Sequence, residues 1–169
     1  MKRLLVVISI VLLASASTFA QTNAKLGYIN SAELLNLMPG ADTVEANLNV
    51  HRETLQQTIQ AMYAEYQNKV QDYQSNVATM SQIIRQTKEK EIQDLERRIQ
   101  EFQQSADQSF QTKRSELLAP LLKRAKEAID AVSAANGYTY IFDTSIGALL
   151  YFEKGDNILP LVKTNIGIK

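Results

Sequence analysis

His51 is the only histidine in the chain, and there is no cysteine. Its His-Arg-Glu setting lacks the second histidine with which a helix grips zinc, and the missing cysteines exclude disulfides and thiolate metal sites. Glu89, Glu91, Asp94 and Glu96 form an acidic group, but Arg85, Lys88, Lys90, Arg97 and Arg98 interleave with it. That mixture is the pattern of a solvated helical face laced with ion pairs, each worth a few tenths of a kcal/mol. Asp143, Glu153 and Asp156 could hold a cation, although turn chemistry and solubility explain them as well. The six glycines are scattered and form no phosphate loop. We assign no catalytic residue, no metal ligand and no cofactor, and the chain is not read as an enzyme.

What remains is chemistry of contact. Tyr63, Tyr66 and Tyr73, followed by Val77, Met80 and Ile83, are the candidate contact residues. A tyrosine has a large apolar ring and a polar tip, so these side chains could pack two helices together or face a partner.

The element carrying them is helical. Val44, Leu48, His51, Leu55, Ile59, Met62, Tyr66, Val70, Tyr73, Val77, Met80 and Ile84 make eleven steps in forty residues, a mean near 3.6. That is the period of one helical stripe. A second stripe runs from Ile92 through Leu95, Ile99, Phe102, Ala106, Phe110, Lys113, Leu117, Leu121, Ala125, Ala128 and Val132 to Ala135, twelve steps in forty-three residues. Between the stripes, residues 75–81 are rich in Ser, Asn and Thr, which favour caps over helix interiors. The turn between two antiparallel helices is placed there, with Ser81 or Thr79 as cap. A return helix reaching Asn136 would be roughly 80 Å long, so the hairpin must project. Pro120 predicts a bend, and Asn136-Gly137 a helix end.

The N-terminus reads as an export signal. Lys2-Arg3 precedes an eleven-residue apolar run, Leu4 to Ala14, broken only by Ser9, and Thr18-Phe19-Ala20 offers a cleavage site before Gln21. Eleven residues fall short of the roughly 20 needed to span a bilayer, so the mature chain is expected to hold no integral membrane segment. Residues 21–169 carry 16 basic and 18 acidic residues, which does not suit a nucleic-acid binder.

Flanking the helical excursion are short apolar runs. Lys25 to Asn30 reads as a strand, Ser31 as the cap of a turn of helix bearing Leu34, Leu35 and Met38, and Pro39-Gly40 as a break. Tyr138 to Asp143 and Leu149 to Phe152 read as a β-hairpin with a loop of about five residues, Gly155-Asp156 as a turn, and Asn157 to Ile166 as a closing helix or cap. If the bases of the long helices meet, these strands can join one sheet. Three short strands cannot alone bury Leu26, Tyr28, Tyr138, Tyr140, Ile141, Phe142, Leu149, Leu150, Tyr151 and Phe152. A sheet body shared between copies of a homo-oligomer would cover them.

The order of these pieces over residues 25–163 resembles the Skp/OmpH family of periplasmic chaperones. Lys25-Leu26-Gly27-Tyr28-Ile29-Asn30 is similar to that family's opening Lys-Ile-Gly-Tyr-Val-Asp strand, and Thr87-Lys88-Glu89-Lys90-Glu91-Ile92 to its Lys-Glu-Lys-Glu-Leu stretch past the tip. Leu117-Leu118-Ala119-Pro120-Leu121, Ala128-Ile129 and Asn136-Gly137-Tyr138, leading to Ile141-Phe142-Asp143, resemble its return to the body. The resemblance implies a jellyfish-shaped homotrimer with helical tentacles around a cavity, which holds unfolded outer-membrane proteins soluble in the periplasm without ATP. Known members have strongly basic tentacles, whereas residues 52–113 here hold eight basic and nine acidic residues. Electrostatic capture and a lipopolysaccharide site are therefore not carried over.

The sequence thus predicts an α+β chain in one domain after a signal at residues 1–20. Residues 41–117 form the tentacle, with its tip near 75–81, and residues 25–40 and 118–169 form the body. The alternative reading is a coiled-coil spacer or scaffold of the cell envelope.

Overall fold

A computed structural model describes residues 24–147, 149, 151 and 155–168. The proposed signal segment, Leu150 and Phe152 lie outside the described residues. Along the chain run β1 (Leu26–Ile29), α1 (Ser31–Leu37), α2 (Ala41–Asn76), α3 (Gln82–Asn136), β2 (Tyr140–Asp143), β3 (Asp156–Asn157) and α4 (Leu159–Asn165).

Each helix boundary has a local cause. Asn30, not Ser31, caps α1, its side chain accepting from the Glu33 N–H at 3.0 Å. Gly40 precedes α2 at φ +100°, a conformation costly for any residue with a Cβ. Between the long helices Ser81 is the cap used, its side chain accepting from the Ile84 N–H. Gly137, at φ +68°, closes α3 with paired hydrogen bonds from its own N–H to Ala134 O and from Tyr138 N–H to Ser133 O. The helix runs through Pro120 without interruption.

The sheet has the order β2-β1-β3, and both pairings are parallel. This corrects the expected β-hairpin. Leu149 and Tyr151 belong to no strand, and Asp156, read as a turn residue, instead opens the third strand. The physical reason is the excursion itself. Two antiparallel helices return the chain to the end from which β1 started: Lys25 Nζ donates to Asn136 O at 3.1 Å, and Thr139 N–H to Lys25 O at 2.8 Å. β2 therefore begins level with β1 and runs beside it, Leu26 opposite Tyr140 and Ile29 opposite Asp143.

Alternation then splits the sheet into two faces. Gly27, Ile29 and Ile141 turn toward the helices, and Gly27 is tightly enclosed, since a Cβ there would lie 2.8 Å from Ile141 Cδ1 and 3.1 Å from Tyr138 Cε1, so that a neighbour would have to shift. Ile29, Leu34, Met38, Val44, Leu121, Ala125, Ala128, Val132, Ile158, Leu159 and Val162 form one buried cluster beneath that face. The small Ala125 and Ala128 allow neighbouring elements to approach α3 closely. On the opposite face Leu26, Tyr140 and Phe142 remain exposed.

Candidate functional site

Away from the body, among the described residues, the two long helices have only each other. Nearly every position of the first stripe from Leu48 to Met80 is half-buried, and in the outer arm only Leu95 and Ile99 of the second stripe are fully buried. Two cylinders in contact bury a line of side chains and leave both flanks wet.

Near the tip, polar clasps join the arms. Lys69 Nζ donates to Glu91 at 2.9 Å, Lys88 Nζ donates to Asp72 at 2.5 Å, and the Tyr73 hydroxyl donates to Glu89. The hydrogen bond to Glu89 raises the Tyr73 pKa, and that from Lys88 lowers the Asp72 pKa. Glu89 and Glu91, read from sequence as part of a solvated intrahelical ion-pair face, thus reach across the hairpin, whereas Asp94, Arg97 and Glu101 do pair within α3. Asp143, a possible cation ligand by sequence, caps instead. It accepts from Ser31 N–H, Ser31 Oγ and Ser145 N–H at 3.1, 2.5 and 2.9 Å. Burial opposes its charge, but these hydrogen bonds outweigh burial and lower its pKa. Asp156 accepts from the Tyr138 hydroxyl and pairs with Lys25, and Glu153 lies outside the described residues.

The candidate contact residues divide by position. Tyr66, Tyr73, Val77 and Met80 are half-buried along the seam, while Tyr63 and Ile83 are exposed, Ile83 by 76 %. His51 is a half-buried stripe residue, its Nε2 3.1 Å from Ser109 Oγ across the arm.

The two flanks of the arm differ. On one, a depression of about 350 Å³ is lined by residues of polar type, His51, Ser105, Gln108, Ser109, Thr112, Lys113 and Glu116. On the other, a groove of about 850 Å³ has a floor of half-buried Leu55, Ile59, Phe102 and Phe110 and a rim of exposed Gln56, Gln103 and Gln111. Arg52 lays its guanidinium 5.0 Å from the Phe110 ring centroid, and Asp107 stands on the same flank. Gln103 Nε2 donates to the Tyr63 hydroxyl at 3.0 Å, which ties Tyr63 to this flank. Sequence reasoning placed the four floor residues on the stripes but not in a site. The available signal was Phe102 and Phe110 on either side of small Ala106, where two large rings flank a gap.

In the body, the residues read as oligomer-forming also divide. Leu26, Tyr140, Phe142 and Tyr151 are exposed, and Tyr28 and Leu149 are half-buried. Tyr138 and Ile141 instead pack against the chain's own core. No helix of the described residues is long and apolar enough to cross a membrane.

The family described as outer membrane protein (OmpH-like) matches residues 25–166. The chaperone protein Skp of Photorhabdus laumondii subsp. laumondii is 27% identical over 162 residues, covering 96% of this chain and 97% of that protein. Skp of Vibrio cholerae is 25% identical over 141 residues, with 83% and 82% covered. The crystal structure of an OmpH-like protein from Caulobacter crescentus superposes with a TM-score of 0.69 at 13% identity, over 85% of this chain and 83% of that one. With its body, its helical excursion and the order of both matched across residues 25–166, the chain belongs to the Skp/OmpH family.

Proposed function

We propose that this protein is an ATP-independent holdase of the periplasm, exported by cleavage before Gln21. It binds unfolded outer-membrane proteins between helical arms and prevents their aggregation. It is a binding protein and not an enzyme. The observation that carries this reading is the half-exposed apolar seam of the arm, in a chain whose relatives are named chaperones. A seam open on both flanks offers many weak apolar contacts rimmed by amide and charge, and such a surface holds diverse apolar segments without selecting one. Several arms around one cavity multiply those contacts by effective concentration.

The arms belong together through the body. Among the described residues, Leu26, Tyr140 and Phe142 expose an apolar sheet face. We assign that face, together with Tyr28, Leu149 and Tyr151, to the joint of a homotrimer. Tyr63, Tyr66, Tyr73, Val77, Met80 and Ile83 are the proposed client contacts at and near the tip.

Native mass spectrometry of residues 21–169 tests both assignments, alone and after a urea-unfolded outer-membrane barrel protein is diluted into it. Three chains with one client support them. Three chains that never take up client favour an envelope spacer, and a monomer overturns the shared body.

A further inference from the structure

We infer that the groove between the arms on the Phe102–Phe110 flank is a strand-binding site. It seats a short, extended, uncharged stretch of polypeptide with apolar side chains at alternate positions. This rests on the holdase reading and gives the arm a defined mode of grip.

The groove's dimensions select the occupant. Its α3 wall runs from Phe102 to Gln111, about 13 Å at ~1.5 Å per residue. An extended chain advances ~3.3 Å per residue, so about four residues fit, two of them facing the floor. Leu55 and Ile59 are one i,i+4 step apart, about 6 Å along the axis, close to the ~6.7 Å between alternate side chains of a strand.

The rim selects it further. Arg52 and Asp107 offset one another, and the remaining rim groups are the primary amides of Gln56, Gln103 and Gln111. An amide carries both donors and an acceptor, as does each peptide unit. An extended backbone exposes N–H and C=O groups to such a rim. A helix has already paired them, and a lipid chain has none. A phosphate or nucleic-acid ligand would meet a neutral rim instead of a basic one.

The test uses the full mature chain and a blocked hexapeptide alternating tyrosine or valine with threonine. Its N-methylated counterpart has the same side chains but lacks the backbone N–H groups on one edge. Binding is followed by fluorescence anisotropy of a labelled peptide. The expected result is about tenfold weaker binding of the N-methylated peptide, and a similar loss in the Q56L/Q111L variant, the effect of about two net hydrogen bonds. Far-UV circular dichroism guards against an unfolded arm, and F110S, on the floor, supplies a second variant. Equal affinity for both peptides, binding unchanged in every variant, or no binding by the parent protein would each overturn the groove assignment. Suppression of barrel-protein aggregation is measured in parallel. If it persists while the peptide results fail, the strand site falls and the holdase reading stands; if it is absent, the holdase reading falls.

Discussion

Body and arm are built from the same helical stripe, yet one is dry and the other wet. Along α3 the positions Leu121, Ala125, Ala128 and Val132 are buried, while Phe102, Ala106, Phe110 and Lys113 are only half-buried. The periodicity does not change between them. The number of neighbours does: α1, α4 and the sheet close around the base of α3, and Leu34, Ile158 and Val162 lie there at 0 % exposure, whereas among the described residues α2 alone faces the outer part of α3. A second helix covers a line, but a core requires covering layers on several sides. Stability is therefore concentrated in the body, and contact surface in the arm.

The largest expected effect comes from the body's outer face. Replacing Tyr140 and Phe142 together with Asp should convert the proposed trimer to monomers with helicity retained, because like charges would face each other across the proposed joint. An unchanged native mass would remove that face from the interface. Next, Leu34→Ala should cost about 2–5 kcal/mol, the loss typical of a large buried aliphatic, whereas Leu55→Ala in the arm should cost about 1 kcal/mol, since its side chain is already partly hydrated. Urea unfolding of both variants breaks the comparison if the two losses are alike.

Gly27→Ala sharpens it from the sheet side. Its Cβ would meet Ile141 at 2.8 Å, and the overpacking should cost about 1–3 kcal/mol. The arm's Ala106→Gly, with no such crowding, should cost about 1 kcal/mol, the price of glycine in a helix.

The smallest effect is a pH dependence. Asp143 has its pKa lowered in the folded chain. Its stabilising contribution is therefore full above the unfolded carboxyl value of about 4, and is lost as pH falls from there through the lower folded value. Asp143→Asn should lower the urea midpoint at neutral pH and narrow its difference from the parent protein in acid. A constant difference across that window would show that the carboxylate's charge is not what holds Ser31 and Ser145.

Much of the arm was legible. The two stripes mark the seam from Val44 to Met80 and from Ile92 to Val132, because helical period alone decides which side chains can face a partner helix. Ser81 and Gly137 act where their chemistry suggests, since caps depend on a few adjacent residues. The groove was not legible, because its floor and rim come from residues about fifty positions apart and from the side on which two helices leave a gap.

What the sequence determined by itself, then, is local: the long helices and their stripes, the caps at Ser81 and Gly137, and the strands opening at Leu26 and Tyr140. Only the tertiary structure decided the rest. Tyr138–Phe152 carries a hairpin signature, yet β2 and β3 pair on either side of β1, in parallel. Strand direction is set by where the long excursion delivers the chain, and that return to Lys25 is a property of two helices together, which no local pattern records.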